Sequence, residues 1–490
     1  MRILYMTSEA FPFAKTGGLG DVSGSLPAAL GHLGHDVKIV MPKYGTIAKA
    51  LWGLERFKSF ALDFCGKENY LTVWKSLLPE SSVEIFFIES ALLSNRPGIY
   101  GEEGKDYPDN LERFSLFSRA ALEIPDLLNW HPDILHANDW QTSLAFLYLQ
   151  SILQDKPLFK KIAKVLTIHN LAHQGIFPGS EFSKTGLSRD FFTPSALEFY
   201  GQINLLKGGL VSADIITTVS PTYGREILTP EYGFGLEGVL HARRKDLHGI
   251  INGVDYKKWD PATDPNIPAM YSPENMEGKL ACKSALQRRC KFKETDLPVV
   301  GIVSRLVYQK GVDLVLEIME ELMALDLQLV VLGTGNSDYE QKLSSEGRKF
   351  KNKLSVHVTF NEIFAHRVEA GADIFLMPSR FEPCGLNQLY SLRYGTVPVV
   401  RKTGGLADTV VDATPLNIKS GVATGFVFEN ADADSLLKTL QLALCFYKEK
   451  GVWRNLMRAG MYSDFSWERS ASEYVKLYEE AAGRIKPGRY

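Results

Sequence analysis

Short apolar runs alternate with amphipathic stretches along the first half of the chain. Runs rich in branched and aromatic residues are typical of buried strands, and they occur at 2–6, 36–42, 83–89, 133–139, 163–169 and 214–220. The stretches between them, such as GSLPAALGHLGH and RFSLFSRAALEIPDLL, have helical spacing. Because strands separated by helices form βαβ units, this half is predicted to be an α/β domain with a mostly parallel sheet.

The alternation stops at a segment rich in Pro and Asp, INGVDYKKWDPATDPNIP (251–268), which suits a linker. It restarts with the apolar runs PVVGIVSRL, LQLVVLGTG, VHVTF, ADIFLMPS and TVPVVR. The predicted fold class is therefore α/β with two domains, residues 1–250 and 255–462. The amphipathic tail, about 465–490, is predicted to be a helix that packs back on the first domain.

Composition narrows the possible functions. A chain of 490 residues with 45% hydrophobic and 23% charged residues suits two globular domains. A net charge of −2 gives no general attraction to nucleic acid or acidic membranes. Five scattered cysteines without a CxxC motif disfavour a disulfide framework or a zinc site, and no metal or other cofactor is expected. With no signal-peptide pattern and no membrane-spanning apolar run, we expect the cytoplasm, or a compartment whose targeting segment is absent.

Nearly the same heptapeptide occurs twice, as KTGGLGD at 15–21 and as KTGGLAD at 402–408. Two similar sheets both need strand-to-helix turns that glycine can form, so the repeat does not by itself indicate a ligand. In the first copy Asp21 is predicted to cap the next helix. Gly17 and Gly18 would expose backbone N–H groups to an anion near the Lys15 ammonium. The alternative is a plain glycine turn with a solvated lysine.

Two segments of the second half contain charged residues where strands end. In VSRLVYQKG (303–311), Arg305 and Lys310 are predicted to reach the crevice at the carboxyl end of the sheet, where they suit a phosphate or diphosphate; surface charge is the alternative. In SRFEPCGLNQLYSLRYG (379–395), Glu382 precedes Pro383 and is expected to be extended. Gly385 and Leu386 are predicted to begin the next helix and to offer N–H groups to an anion, which together with the carboxylate suits a sugar phosphate. The Cys384 thiol is more simply explained by packing than as a nucleophile.

Polar residues also follow two strands of the first half. TIHNLAHQGIFP places His169 and Asn170 at a strand end, and HANDWQ places Asp139 at another. His169 and His173 are four residues apart, but the glutamate of HExxH is missing, so a zinc site is disfavoured. A hydrogen-bonding histidine in an active site and a structural loop histidine both remain open.

Taken in order, these segments resemble the bacterial and plastid glycogen and starch synthases over nearly the whole chain. The resemblance is carried by KTGGLGDV, TIHNLAHQGIFP, TTVSPTY, INGVD, SRLVYQKG and SRFEPCGL followed by QLYSLRYG. It implies a retaining glycosyltransferase of GT-B architecture, with two Rossmann-like domains facing a deep cleft. The implied donor is ADP-glucose or UDP-glucose, and the implied acceptor is glycogen or another α-1,4-glucan.

The resemblance also implies roles for individual residues. Arg305 and Lys310 match the clamp on the donor diphosphate, helped by the amides of Gly385 and Leu386 and, from the first domain, by Lys15 and Gly18. Glu382 matches the acid that holds glucose hydroxyls, with Cys384 in the same donor segment. His169 and Asn170 match residues beside the transferred sugar. The remaining matches are acids lining the cleft (Asp21 and Asp139), a linker residue (Asn252) and the acceptor region (Tyr100 and Tyr107). The catalytic set implied is Glu382, His169, Asp139, Arg305 and Lys310.

Three positions depart from the family pattern. Phe360 stands where tyrosine often faces the nucleobase, Gln141 replaces a common histidine, and Asn387 replaces a usual threonine. These departures bear on nucleotide preference more than on reaction type. Three other functions are alternatives. A GT-B phosphorylase would need a pyridoxal phosphate lysine, which nothing in the sequence marks, and a nicotinamide oxidoreductase would be expected to have a GxGxxG motif, which is missing. The third alternative is a non-catalytic glucan-binding protein.

Overall fold

The computed structural model describes residues 1–102 and 104–485. The chain forms two compact units. The first comprises Met1–Val219, Gly224–Gly253 and the chain from Trp467 onward, and the second comprises Ser220–Tyr223 and Val254–Ser466. Residues Ser220–Tyr223 belong to the second unit, whereas the sequence analysis placed them in the first domain.

The first unit is built on a sheet of nine strands. Strands in this part of the chain are β1 (Arg2–Met6), β2 (Asp36–Pro42), β3 (Glu55–Phe64), β4 (Lys67–Leu77), β5 (Glu84–Glu89), β6 (Gly101–Glu102), β7 (Lys105–Asp106), β8 (Ile134–Asn138), β9 (Ala163–Ile168), β10 (Ile176–Pro178), β11 (Glu198–Phe199), β12 (Gln202–Asn204), β13 (Ile215–Thr218) and β14 (Leu247–Gly249). The sheet order is β14-β13-β9-β8-β1-β2-β5-β4-β3, and a smaller sheet has the order β10-β12-β11.

Chain order reverses direction in the large sheet between β1 and β8. From β14 to β5 all neighbours are parallel, whereas β3, β4 and β5 pair antiparallel. In doubly wound sheets the crevice at such a reversal, beyond the carboxyl ends of the strands, is where ligands bind. The six strands expected from the sequence are present, whereas the β3–β4 hairpin was not predicted.

Helices connect the strands in this half of the chain, and one of them, at Pro221–Glu226, begins in the second unit. They are α1 (Gly18–His32), α2 (Ala91–Ser94), α3 (Asn110–Ala121), α4 (Ile124–Leu128), α5 (Trp140–Gln150), α6 (Leu205–Ser212), α7 (Pro221–Glu226), α8 (Pro230–Gly233) and α9 (Glu237–Ala242), with 3-10 turns at Pro157–Phe159, Gly179–Thr185 and Arg189–Phe191.

The second unit contains a six-stranded sheet in which every pair is parallel. Its strands are β15 (Val299–Val303), β16 (Gln328–Gly333), β17 (Leu354–Val358), β18 (Ile374–Met377), β19 (Val397–Arg401) and β20 (Phe426–Phe428). The order β17-β16-β15-β18-β19-β20 is that of a Rossmann fold, with its reversal between β15 and β18.

The helices of the second unit connect these strands. They are α10 (Glu277–Arg289), α11 (Val312–Glu317), α12 (Met319–Ala324), α13 (Ser337–Lys349), α14 (Glu362–Gly371), α15 (Asn387–Arg393), α16 (Gly404–Thr409), α17 (Pro415–Ser420), α18 (Ala433–Lys448) and α19 (Lys450–Tyr462), with a 3-10 turn at Tyr308–Lys310. In the part of the chain that the structure describes, no helix is both long enough and apolar enough to cross a membrane.

The last helix, α20 (Trp467–Arg484), belongs to the first unit. Its buried face joins the core that contains β1, with Trp467, Ala471, Tyr474, Tyr478 and Ala481 in one cluster with Ile3 and Tyr5. The Tyr478 hydroxyl lies 2.7 Å from Nδ1 of buried His136, and Ser470 donates to the Ile251 carbonyl at 2.7 Å. The helix predicted for about 465–490 therefore ends at Arg484, and residues 486–490 lie outside the described part.

We predict that Tyr478→Phe destabilises the protein by about 1–3 kcal/mol, because the buried His136 nitrogen loses its hydrogen-bond partner. Chemical denaturation of the full chain measures the change. Tyr462→Phe is the matched control, because its hydroxyl donates to Glu274 at 2.8 Å on the surface and should contribute less than about 0.5 kcal/mol. Equal effects of the two substitutions would contradict the assigned role.

Candidate active site

The reversal point of the second sheet contains a cation and a carboxylate in direct contact. Lys310 Nζ donates to Glu382 Oε2, and Ser379 Oγ donates to the same oxygen at 3.1 Å. The Lys310 and Glu382 side chains are only 17% and 7% exposed, so solvent screens the pair weakly. Lys310 closes the turn after β15 and Glu382 follows β18, so the two segments selected from the sequence do meet.

Arg305 lies on the same strand exit but is exposed. Its Nη2 donates to Gln309 Oε1 at 3.4 Å. Gln309 in turn donates to the Phe381 carbonyl at 3.2 Å and accepts from the Arg380 amide at 2.8 Å. The arginine is therefore attached to the loop after β18 and is accessible to an anionic ligand.

The start of helix α15 differs from the prediction. Gly385 has φ +72 and Leu386 is the N-cap residue, so the helix begins at Asn387 rather than at Gly385. The prediction was wrong because a left-handed residue cannot belong to a right-handed helix. Asn387 Nδ2 donates to the Val303 carbonyl at 2.5 Å, and Cys384 is buried, as expected of a packed thiol.

The second heptapeptide packs against the loop that contains Glu382. A Cβ at Gly404 would lie 1.9 Å from the Glu382 carbonyl oxygen, and one at Gly405 would lie 2.1 Å from the Cys384 carbonyl oxygen. The Gly405 amide donates to the Glu382 carbonyl at 3.1 Å. These glycines are required because backbone meets backbone there. Lys402 is exposed and pairs with Glu429 at 2.8 Å.

The first heptapeptide has the opposite surroundings. A Cβ at Gly17 or Gly18 would meet no atom within 4 Å, and Gly17 has an extended φ of −152. Helix α1 begins at Gly18 with Gly17 as its N-cap residue, so the prediction that Asp21 caps it was wrong. Asp21 lies in the first turn and accepts from Lys15 Nζ at 2.6 Å. Neither close packing nor a positive φ explains why glycine occurs at positions 17 and 18.

A buried glutamate that the sequence analysis missed fixes this loop. Glu9 accepts from the Thr16 amide at 2.6 Å, the Thr16 hydroxyl at 2.7 Å, the Gly17 amide at 3.2 Å and the Tyr100 hydroxyl at 2.6 Å. The sequence did offer an indication, since TSEAFPFA places an acid in an otherwise apolar strand exit. The expectation that Gly17 offers its N–H group to an anion is therefore wrong, because that group donates to Glu9.

The two tyrosines expected to bind the acceptor already contact protein groups. Tyr100 donates to Glu9, and burial raises the pKa of its hydroxyl well above the ordinary value. The Tyr107 ring lies between the guanidinium groups of Arg96 and Arg113, with centroid distances of 4.5 and 5.1 Å, and its hydroxyl accepts from the Gly98 amide. These contacts account for the position of Tyr107 without a ligand.

Asp139, His169 and Asn170 follow the adjacent strands β8 and β9. Asp139 has φ +54 and accepts from the His169 amide at 2.7 Å. His169 Nε2 lies 3.0 Å from Asn138 Oδ1. Asn170 Oδ1 accepts from the Ala172 amide at 3.1 Å. The structure therefore brings these residues to one edge of the first sheet.

Burial dominates the electrostatics of this edge. It raises the pKa of Asp139 to about 7, against the opposing effect of amide hydrogen bonds from His169 and Asn170. Burial also lowers the pKa of His169 and of His136 to about 3, so both imidazoles are neutral at physiological pH. A neutral histidine beside a carboxylic acid can exchange hydrogen bonds with sugar hydroxyls.

Three residues singled out from the sequence, Asn252, Phe360 and Gln141, differ widely in their exposure to solvent. Asn252 is buried, and its Oδ1 has no hydrogen-bond partner among the described residues. Phe360 follows β17 with its ring 83% exposed, as a base-stacking residue would be. Gln141 is buried in helix α5. Within 1–102 and 104–485, no group of His, Cys, Asp and Glu side chains is arranged to hold a metal.

Two Rossmann-type sheets with charged residues at their strand ends are the GT-B fold of glycosyltransferases. A family described as "Glycosyl transferases group 1" matches residues 284–450, and one described as "Starch synthase catalytic domain" matches residues 2–242. The catalytic domain of starch synthase IV from Arabidopsis thaliana, solved with ADP and acarbose, superposes with a TM-score of 0.88 at 34% identity over 99% of both chains.

Full-length relatives narrow the class. Glycogen synthase 1 of Methylococcus capsulatus is 47% identical over 100% of this chain and 98% of its own length. A glycogen synthase of Anaeromyxobacter is 48% identical over 98% of this chain and 100% of its own length. The chain therefore belongs to the glycogen and starch synthase family, whose members are glucosyltransferases.

We predict opposite effects of alanine in the two heptapeptides. Gly405→Ala should destabilise the protein by about 3 kcal/mol, because the new Cβ overlaps the Cys384 carbonyl. Gly18→Ala should leave stability unchanged or raise it slightly, because the site is open and alanine favours a helix. Thermal and chemical denaturation measure both changes. Comparable destabilisation by the two alanines would contradict this view of the repeat.

We also predict how acid destabilises the first unit. His136 and His169 become protonated near pH 6.5 in the unfolded chain but only near pH 3 in the folded chain. The two histidines therefore lower the free energy of unfolding as the pH falls from 6.5 to 3. Asp139 acts in the opposite sense, because its folded pKa of about 7 lies above the ordinary 3.8. Protonation of Asp139 therefore stabilises the folded state as the pH falls below 7, and Asp139→Asn removes this contribution.

The expected result is that stability between pH 6 and pH 4.5 falls more steeply in Asp139→Asn than in the unsubstituted protein, by about 1.4 kcal/mol per pH unit. Urea denaturation at several pH values measures the slope. Asp155→Asn, at an exposed aspartate, is the control and should leave the slope unchanged. Identical slopes in all three proteins would show that Asp139 is ionised throughout this range.

Proposed function

We propose that this enzyme transfers glucose from a nucleoside diphosphate to the 4-hydroxyl at the non-reducing end of an α-1,4-glucan such as glycogen, with retention of configuration. ADP-glucose is the first choice of donor, because the similar starch synthase IV was solved with ADP, and UDP-glucose is the alternative. The observation that supports this most directly is the contact of Lys310, Glu382 and Ser379 at the reversal point of the second sheet. Bacterial relatives and five cysteines without a disulfide agree with a cytoplasmic site of action.

Catalysis requires that negative charge on the departing diphosphate be stabilised. We assign this to Arg305 and Lys310, with help from the backbone amides at Gly385 and Leu386. Cations aimed at charge that grows in the transition state raise the rate, and each is worth about 3 kcal/mol. Because two cations are present, the reaction as proposed needs no metal. Exclusion of water from the site would prevent hydrolysis of the donor.

Glu382 is proposed to accept hydrogen bonds from the glucose hydroxyls. Its Oε2 accepts hydrogen bonds from Lys310 and Ser379. A diphosphate would draw the lysine away, and the released carboxylate could then accept sugar hydroxyls. The two events are coupled through one ion pair, so phosphate binding would favour acceptance of sugar hydroxyls at Oε2. A role for Glu382 as a covalent nucleophile is the alternative, and a trapped glycosyl-enzyme would support it.

The first unit is proposed to supply the remaining contacts. Lys15 and the exposed amide of Gly18 suit the donor diphosphate, with Asp21 and Asn252 nearby in the donor-binding set. His169, Asn170 and Asp139 suit the transferred sugar. Tyr100, and less directly Tyr107, are assigned to the acceptor. In the second unit the exposed Phe360 ring is proposed to stack on the nucleobase, with Cys384 packing beneath the donor segment.

The direct test is incubation with radiolabelled ADP-glucose or UDP-glucose and glycogen, followed by measurement of label in polymer. The expected result is incorporation at the 4-hydroxyl in new α-1,4 linkages, with ADP-glucose the better donor. Incorporation from glucose 1-phosphate alone would instead indicate a phosphorylase. Label in free glucose with none in polymer would overturn the transferase assignment.

We predict that the two copies of the heptapeptide differ in their effect on rate. Lys15→Ala should lower kcat/KM for the donor by about a hundredfold, because a cation that stabilises the diphosphate is lost. Lys402→Ala should change it less than about twofold, because that side chain is exposed and its partner Glu429 is more exposed still. Both variants should unfold at the temperature of the unsubstituted enzyme. Equal losses of activity in both would contradict the assignment.

A further inference from the structure

Residues Ser220–Tyr223 interrupt the first unit, because Val219 and Gly224 on either side of them belong to that unit. We call these four residues the crossing segment. They lie within TTVSPTY, which carries part of the family resemblance but has no role in the site described above. Strand β13 leads into the crossing segment, and helix α7 begins at Pro221. Since the chain then returns to the first unit, the contacts of these residues in the second unit need their own explanation.

Asp408 binds the crossing segment with both of its carboxylate oxygens. Oδ2 accepts from the Thr222 amide at 2.7 Å, and Oδ1 accepts from the Thr222 hydroxyl at 2.6 Å. Thr222 lies in the first turn of α7, where amides have no acceptor within their own helix, so Asp408 satisfies a donor that the helix cannot. Asp408 is the last residue of the second heptapeptide. Its counterpart in the first, Asp21, pairs instead with Lys15 of its own loop.

Ser220 joins the crossing segment to the loop that contains Glu382. Its hydroxyl accepts from the Tyr223 amide at 3.1 Å, as the side chain of an N-cap residue does, and donates to the Pro383 carbonyl at 2.6 Å. The Ser220 side chain is buried, so these two hydrogen bonds fix the orientation of its hydroxyl. Pro383 directly follows Glu382 in the chain. The start of α7 therefore holds the main chain next to the carboxylate that is proposed to bind the sugar.

Helix α16 contacts both the Glu382 loop and the crossing segment. Its Gly405 amide donates to the carbonyls of Glu382 and Pro383 at 3.1 and 3.2 Å. Asp408, which binds the crossing segment, lies one turn further along the same helix. Helix α16 thus holds the Glu382 loop directly through Gly405 and indirectly through the crossing segment. Close packing of two backbones already sets the direct contact, so the indirect one is where side chains determine how accurately Glu382 is placed.

We propose that Asp408 is a positioning residue for Glu382 and acts through the crossing segment. Asp408 holds Thr222. The Ser220 hydroxyl of the same segment then holds the main chain beside Glu382. The proposal rests on the proposed function, because it takes Glu382 to be the group that accepts the glucose hydroxyls. A displacement of about 1 Å near the reacting groups can lower a rate about a hundredfold, so a small shift of this loop is measurable as a change in kcat.

The test compares Thr222→Val with Thr222→Ser, using radiolabelled ADP-glucose and glycogen. Valine keeps the shape of threonine but cannot donate to Asp408, whereas serine retains the hydroxyl. We expect kcat to fall about tenfold in Thr222→Val and to stay within about twofold in Thr222→Ser. The inhibition constant of ADP should stay within about twofold in both, because ADP lacks the glucose that Glu382 is proposed to hold. A tenfold loss in both variants would overturn the proposal.

Thr414→Val is the matched control for a purely structural effect. Thr414 caps another helix of the same unit, α17, by accepting from the Asn417 amide at 3.2 Å. Thr414→Val and Thr222→Val should each lower the unfolding temperature by about 2–4 °C, because each loses one hydrogen bond at a helix start. Only Thr222→Val should lower kcat. Equal losses of kcat in the two variants would show that the amount of folded enzyme has changed, and would overturn the proposal.

A double-mutant cycle tests whether the effect passes through Glu382. In Glu382→Ala, the further substitution Thr222→Val should change kcat less than about twofold, because the carboxylate to be positioned is missing. An undiminished tenfold loss in that background would overturn the proposal. Asp408→Asn keeps one acceptor oxygen at a half-buried position and should lower kcat about threefold. Unchanged kcat in Asp408→Asn would likewise refute it.

The same variants separate this proposal from the proposed function. If Glu382→Ala lowers kcat strongly while Thr222→Val and Asp408→Asn leave it unchanged, the positioning role alone is wrong. If Glu382→Ala leaves kcat unchanged, or the unsubstituted enzyme transfers no glucose to any α-glucan, the proposed function has failed, and the positioning role with it.

Discussion

The candidate site of the second unit depends on a contact between two stretches of backbone. Residues 382–384 run directly against residues 404–405, so closely that no side-chain atom fits between them. Arg401, at the end of β19, stabilises the same loop, because its guanidinium donates to the carbonyls of Ser379 and Arg380. Ser220 adds a hydrogen bond to the Pro383 carbonyl at 2.6 Å. Glu382 is thereby fixed by its own main chain, and its side chain is left for Lys310 and for a ligand.

Each unit uses a buried carboxylate at a strand exit, but in a different way. The Glu9 carboxylate accepts hydrogen bonds from Thr16, Gly17 and Tyr100, and so fixes the loop that precedes helix α1. Glu382 instead pairs with one cation, Lys310. In the first arrangement one carboxylate accepts from two backbone amides and two hydroxyls. The second can be exchanged, because a phosphate competes for the same ammonium.

Continuous apolar runs were enough to predict six strands of the first sheet and five of the second, since fully buried strands stand out from helical spacing. The three-residue strands β14 and β20 were not predicted. The β3–β4 hairpin was missed because most positions of β3 face solvent and its sequence, ERFKSFALDF, has no such run. The charged residues of the second site could be selected because they follow apolar strands. The start of α15 and the cap of α1 could not, because both depend on the φ of individual residues near glycine, which composition does not determine. Glu9 was missed because two of its four hydrogen bonds come from backbone amides, and a third comes from Tyr100, which is distant in sequence.

Residues with positive φ can be compared by the contacts that their side chains make. The turn between β3 and β4 places Cys65 at φ +56 before Gly66, the same arrangement as Tyr200 before Gly201. There the thiol donates to the carbonyls of Ser183 and Lys184 at 3.3 and 3.5 Å, so the strained residue joins two parts of the fold. Asp139, at φ +54, likewise gains amide hydrogen bonds and a position beside His169. The Tyr200 ring is largely exposed and packs edge to face on Phe199. The same backbone geometry is thus accompanied by side-chain hydrogen bonds at Cys65 and Asp139, and by a ring contact at Tyr200.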